Sequence, residues 1–173
     1  MITFHRATVD DADLLVYLWW ETFIQAYKTV HTPENLSAYC EQHYTINAAQ
    51  DLLTNPQIMT HLAYRENNPV AFSTVNYHPC PIEIAGTSAE LKQIYTLATE
   101  YGSGLGFALF EQAAHLLQNA GYDLVWLAVS KRNFRAQRFY EKLNFNPVGD
   151  GPTFNVGTDR LPSTILIRPL KGQ

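Results

Sequence analysis

Ile94-Tyr95-Thr96-Leu97-Ala98-Thr99-Glu100-Tyr101-Gly102-Ser103-Gly104-Leu105-Gly106-Phe107-Ala108-Leu109 reads as a strand, a glycine-dense turn and the opening of a helix. Glycines at 102, 104 and 106 let the backbone turn tightly and bring its N–H groups close to a ligand, with no Cβ in the way. The helix that follows aims its unpaired amides and positive dipole end at the same spot, which makes a cradle for a diphosphate. A tight turn with no ligand is the plainer reading of the same letters. Two other phosphate loops are excluded directly. A dinucleotide fingerprint needs a third glycine where Phe107 stands, and a nucleoside-triphosphate loop needs Gly-Lys-Ser/Thr where Gly106-Phe107-Ala108 stands.

Working outward, the helix is predicted over 104–120, a strand over 124–129, a helix over 133–143, and strands near Phe145 and over 164–167. Residues 124–129 are apolar without alternation, as expected of a central strand covered on both faces. Upstream, a strand over 90–98 leads into the turn, and 58–64 with 70–77 make a hairpin about Glu66-Asn67-Asn68-Pro69. Ahead of the hairpin the pattern predicts three helices. Asp10 and Asp11 open the first, in which Trp20, Phe23, Ile24 and Tyr27 fall at i, i+3, i+4, i+7 on one apolar face. Thr32 caps the second, with Pro33 at its first position, and it runs to about Tyr44; the third covers 47–53. Met1-Ile2-Thr3-Phe4-His5-Arg6 reads as a first strand rather than a leader. The ordering is α/β or α+β.

At 173 residues and 46% hydrophobic, the chain has the size and the apolar content of a single domain spanning 1–173. No apolar run approaches the roughly 20 residues of a membrane span, so the expectation is a cytoplasmic protein that does not engage a membrane. Cys40 and Cys80 lack metal-ligand spacing and read as free thiols, and no metal is expected. A net charge of -4 argues against nucleic acid as a partner. The charge is unevenly placed. Asp10, Asp11, Asp13, Glu21, Glu34, Glu41 and Asp51 face the single base Lys28 in the front third, whereas Lys131, Arg132, Arg135, Arg138 and Lys142 outnumber Glu141 further on. Such a chain suits a cationic substrate and an anionic cofactor; two solvated helix faces explain the same counts.

The glycine turn, followed by residues 124–129 and Asn133-Phe134-Arg135-Ala136-Gln137-Arg138-Phe139-Tyr140-Glu141-Lys142-Leu143-Asn144-Phe145, closely resembles the GNAT acetyltransferases. The family's Gln/Arg-x-x-Gly-x-Gly/Ala loop matches 101–106, its Asn-x-x-Ala matches Asn133 and Ala136, and its Phe-Tyr-x-x-x-Gly-Phe matches 139–145. Tyr101 replaces the usual Gln or Arg, and Asn144 the usual Gly, a mild departure because Asn tolerates the left-handed conformation. Glu21-Thr22-Phe23, Tyr27-Lys28 and Thr32-Pro33-Glu34-Asn35-Leu36-Ser37-Ala38-Tyr39 resemble the bacterial spermidine/spermine N-acetyltransferase group.

This resemblance implies an acyl-CoA N-acyltransferase fold, a mixed central sheet of about six to seven strands flanked by helices. It also implies acetyl transfer from acetyl-CoA to the primary amine of a small molecule, a polyamine such as spermidine or spermine, by direct attack through a tetrahedral species. Ile94, Tyr95, Thr96 and Leu97 would hold the pantetheine arm. Gly102, Ser103, Gly104, Leu105 and Gly106 would hold the diphosphate, with Asn133, Ala136 and Phe139 completing the cofactor site. Tyr140 matches the family's general acid; as part of an Ala136, Phe139, Tyr140, Leu143 stripe it also reads as core. For the general base, Glu90, Glu21, His31, Tyr27 and a water chain all stay open, and Glu21, Tyr27 and His31 are the candidate substrate residues. Arg135 and Arg138 lie near CoA phosphates or on a solvated face. Dimers are frequent in the family, which leaves a homodimer open. Another amine acceptor, or a non-catalytic acetyl-CoA-binding module, is the alternative.

Overall fold

The computed structural model describes residues 1–170. Strand β1 (Ile2–Arg6) leads to helices α1 (Ala12–Tyr27), α2 (Pro33–His43) and α3 (Ile46–Thr54), followed by strands β2 (Ile58–Arg65), β3 (Asn68–Asn76) and β4 (Ser88–Thr96). Helix α4 (Leu105–Asn119), β5 (Leu124–Ser130) and α5 (Phe134–Lys142) come next, then β6 (Asn146–Asp150), β7 (Phe154–Val156), β8 (Asp159–Leu161) and β9 (Ser163–Pro169). Seven strands form a mixed sheet in the order β1-β2-β3-β4-β5-β9-β6, while β7 and β8 pair apart from it. The parallel pair is β4 and β5, joined by α4 as crossover.

Alternation along the strands sorts side chains into two layers. Leu62, Phe72 and Tyr95 pack with α1, whereas Ala63, Ala71 and Ile94 pack with Leu105 and Leu109 of α4. Helix α4 buries Leu105, Leu109, Phe110, Ala113 and Leu117 on one face, each Leu or Phe contributing roughly 1.5–3 kcal/mol. The caps follow the sequence: Thr32 Oγ1 accepts from the Asn35 amide (3.3 Å) and Thr45 Oγ1 from the Ala48 amide (3.1 Å). Asn144 is left-handed (φ 61°), as its place in the motif requires.

Three expectations need correcting. The fully buried face of α1 is Leu15, Leu18, Trp19, Thr22 and Phe23, with Trp20, Ile24 and Tyr27 at its flank. The reason is that α1 is covered by the sheet on one side and by α2 and α3 on the other, so its apolar arc is wider than one stripe. The hairpin turn is narrower than predicted, because Asn68 and Pro69 already pair in β3 and Glu66 takes the left-handed conformation (φ 57°). Finally, the pattern assigned nothing to the β7–β8 hairpin, although Gly157 (φ 57°) at its tip is the type of residue a two-residue turn demands. Among the described residues no helix is long and apolar enough to cross a membrane, and no cluster of His, Cys, Asp and Glu could hold a metal ion.

Candidate active site

Parallel pairing of β4 with β5 covers three rungs, Ser88 with Leu124, Ala89 with Val125 and Glu90 with Trp126, and then stops although both strands continue. Beyond that point the strands part. Pairing Phe72↔Tyr95, together with the Leu97 amide spent on the Val70 carbonyl (2.9 Å), turns the backbone groups of Tyr95 and Leu97 towards β3. By alternation those of Ile94 and Thr96 face the gap. The gap opens into a cleft of about 910 Å³ lined by Ile94, Tyr95, Thr96, the glycine turn and the inner face of α5.

The turn is braced from beneath. Glu100 is only 7% exposed and receives Arg65 Nε (2.9 Å) and Nη2 (2.5 Å) in a forked pair, plus the Ser103 hydroxyl (3.2 Å). Above this brace Gly102 (φ 80°) and Gly104 (φ 84°) are left-handed, and a Cβ on either would meet nothing within 4 Å, so the turn presents an open concave backbone. The first intrahelical bond of α4 runs from the Ala108 amide to the Gly104 carbonyl (3.1 Å). Four amides therefore precede it without helical acceptors; Ser103 Oγ takes that of Leu105 (3.3 Å), leaving Gly104, Gly106 and Phe107 as donors. Gly106 has a second reason: a Cβ there would press on Phe139 Cε2 at 3.3 Å, so glycine sets how closely α4 and α5 approach.

The Arg65 hydrogen bond holds the Glu100 carboxyl below its ordinary value of 4.5. A depressed carboxylate contributes stability that is present above the unfolded value and lost as pH falls through the folded one. Glu100→Gln should therefore melt below the native protein by several degrees, with the gap widest above about pH 5 and closing as the pH drops under ~4.5. A gap of constant size across a pH series of melting curves would show that the brace is not electrostatic.

Tyr140 lines the cleft, its ring 5.3 Å from that of Phe139. Its hydroxyl meets no protein partner among the described residues, nor is it one of their sealed, unpaired polar atoms, so it opens on the cleft. Burial, and then the neighbouring Tyr27 phenol, push it well above its ordinary value of 10.0, so it is protonated throughout the neutral range. Tyr95 is raised in the same way, with Tyr27 again beside it. Asn133 caps α5 by accepting from the Ala136 amide (3.0 Å) and donates from Nδ2 to the Tyr27 hydroxyl (3.1 Å). Its side chain is thus committed within the protein.

The cleft brings together Ile94, Tyr95, Thr96, Gly102, Gly104, Gly106, Asn133, Ala136, Phe139 and Tyr140. Leu105 is core, Ser103 turns down to Glu100, and Leu97, just past β4, spends its amide on Val70 of β3, so these three are not among the residues lining the cleft. Of the candidate substrate residues, Glu21 is exposed on α1 and accepts from Gln25 (3.3 Å) outside the cleft lining; Tyr27 lies one layer behind the wall; His31 is buried deeper. Glu90 stands at the last paired rung and accepts from Asn76 Nδ2 (3.3 Å). Sequence reasoning missed the Arg65–Glu100 brace and the Arg135 guanidinium 3.2 Å over the Tyr101 ring, which joins the two lips of the cleft. The Arg135 signal was present, since an aromatic stands where the family carries Gln or Arg.

This geometry agrees with the comparisons. Residues 14–145 match the model of the acetyltransferase (GNAT) family. The chain is 26% identical over 160 residues to the uncharacterized N-acetyltransferase Rv2669 of Mycobacterium tuberculosis, covering 92% of this chain and 98% of that one. It superposes on the PaiA N-acetyltransferase of Thermoplasma acidophilum, solved in complex with coenzyme A, with a TM-score of 0.80 at 16% identity, covering 98% and 99% of the two chains. The ribosomal-protein-S18-alanine N-acetyltransferase of Escherichia coli superposes with a TM-score of 0.68 at 18% identity, covering 100% and 96%. With the family's motifs gathered about one cleft, the chain belongs to the GNAT family of N-acetyltransferases.

Proposed function

We propose that this chain transfers the acetyl group of acetyl-CoA to a primary amine by direct attack, with Tyr140 donating to the departing sulfur. The observation that carries this reading is the Tyr140 hydroxyl, unpartnered and protonated, opening between the parted strands. Acetyl-CoA fits the cleft: the unspent amides of Gly104, Gly106 and Phe107 would hold a diphosphate, and the edge groups of Ile94 and Thr96 would hold the pantetheine amides. Bound there, it supplies the acetyl group as a thioester. Because the Tyr140 phenol is less acidic than an ordinary thiol, near 8.5, its contribution is chiefly a hydrogen bond that strengthens as charge grows on sulfur. A panel of amines assayed by thiol release tests the assignment; no release above the rate in water, with any amine, would remove it.

The acceptor class that the front third suggests is a polyamine such as spermidine or spermine. None of its seven carboxylates lines the cleft, so any attraction acts through the field of α1–α3 rather than by contact. On this reading kcat/KM for spermidine exceeds that for a monoamine of equal length and falls as salt rises from about 0.01 to 0.15 M, where the screening length shortens from ~30 to ~8 Å. Equal use of both amines at low salt would sink the polyamine reading and leave acetyl transfer standing.

A further inference from the structure

Two side chains from opposite lips of the cleft meet across its mouth. Tyr101 stands immediately before Gly102 on the turn, Arg135 lies in the first turn of α5, and both line the cleft. The guanidinium carbon of Arg135 is 3.2 Å above the centre of the Tyr101 ring. Both roots of this stack are pinned. The Tyr101 amide donates to the Ala98 carbonyl (3.1 Å), one residue past the Arg65–Glu100 brace. The start of α5 is fixed by the Asn133 cap (3.0 Å) and by Gln137 Nε2 donating to the Ser130 carbonyl (3.0 Å). The stack therefore joins two parts of the fold that are each held in place without it.

A face-on stack uses the face of the guanidinium and leaves its edge, where the N–H donors lie, unspent. Arg135 has no hydrogen bond or ion pair to any described residue, so those donors are open to a ligand in the cleft. Charge is unevenly divided between the lips. The cations that line the cleft, Arg135, Arg138 and Lys142, all stand on α5, whereas the turn contributes the Glu100 carboxylate. Arg65 offsets that carboxylate from beneath, so an anion seated on the turn finds backbone amides there and no free positive charge. Among the three cations of α5, Arg135 is the one in contact with a residue of the turn.

We propose that Tyr101 is a positioning residue that holds Arg135 over the glycine turn, where the edge of the guanidinium binds the diphosphate of the acetyl donor. This rests on the acetyl-CoA reading above. A free arginine loses rotamer freedom when it closes on a phosphate; the ring collects the side chain beforehand, so less is lost on binding. The magnitudes set the order of the two effects. Stacking at an exposed site is worth about two- to fivefold in an equilibrium, and a charge-assisted hydrogen bond from guanidinium to phosphate about tenfold or more. Arg135 thus supplies the contact, and Tyr101 the part of it that comes from placement.

Calorimetric titration of CoA into the native protein, Arg135→Gln, Tyr101→Leu, Tyr101→Phe and the double variant Tyr101→Leu/Arg135→Gln tests this. Arg135→Gln should weaken binding by about 10- to 30-fold and Tyr101→Leu by about two- to fivefold. The double variant should lose less than about twofold beyond Arg135→Gln alone, because a ring with nothing to hold has no effect. Tyr101→Phe keeps the ring face and should restore native affinity. Arg132→Gln removes an equal charge outside the cleft lining and should cost less than about twofold. In turnover the losses should fall in the KM for acetyl-CoA rather than in kcat, since a diphosphate contact is the same in the ground and transition states. Losses that multiply in the double variant, or a Tyr101→Phe as weak as Tyr101→Leu, would overturn the positioning role, and native affinity in Arg135→Gln would overturn the contact itself. Each of these leaves the acetyl-CoA reading intact, whereas failure of the native protein to bind CoA overturns that reading and the role of Tyr101 with it.

Discussion

Tyr140→Phe should lower kcat by roughly 10- to 1000-fold, the range expected when one positioned donor to a developing charge is removed. The substitution keeps the ring that packs against Phe139 and Phe145. The lost hydroxyl has no protein partner among the described residues, so stability and CoA affinity should hold. The loss belongs in kcat because the interaction forms only as the sulfur departs. A second consequence follows from the raised phenol: the native enzyme should show no alkaline loss attributable to Tyr140 between about pH 6 and 9, because the group stays protonated there. Unchanged turnover in Tyr140→Phe would return the residue to the core stripe that its spacing also allows.

Gly104→Glu should abolish the rise in melting temperature that CoA produces in the native protein. Ligand at about 100 times its Kd stabilises by ~2.7 kcal/mol, so the native shift is easily measured. Gly104 is left-handed (φ 84°) at the mouth of α4, with open space where a Cβ would project. A glutamate there is strained, occupies the concavity and brings an anion to the place where a diphosphate would sit. Gly104→Ala separates these effects, since it carries the strain without the charge and should retain part of the shift. Equal shifts in native and Gly104→Glu proteins would move the cofactor away from this turn.

How far the sequence could be read depended on the range of the signal. The glycine turn, the capped helices and the Asn133-to-Phe145 motif are local, and each reported its structure through spacing alone. The α1 face was misread because periodicity describes one helix, whereas the width of its buried arc depends on how many partners cover it. Glu21 illustrates the same limit: its charge was visible, its direction was not, and it proves to face solvent.

The ion pairs beneath and behind the cleft are long-range. Arg65 and Glu100 are 35 residues apart, and His31 and Asp159 are 128 apart. Neither pair has a spacing that a one-dimensional pattern could reveal, and the second depends on a short hairpin outside the main sheet. By itself the chain determined its elements, its family and the place of the glycine turn, since backbone conformation and amphipathic period are written in neighbouring residues. Only the tertiary structure decided which strands part, which amides remain unspent and which buried groups meet. Those outcomes depend on what the completed packing leaves without a partner, a property of the assembled fold and of no single stretch of it.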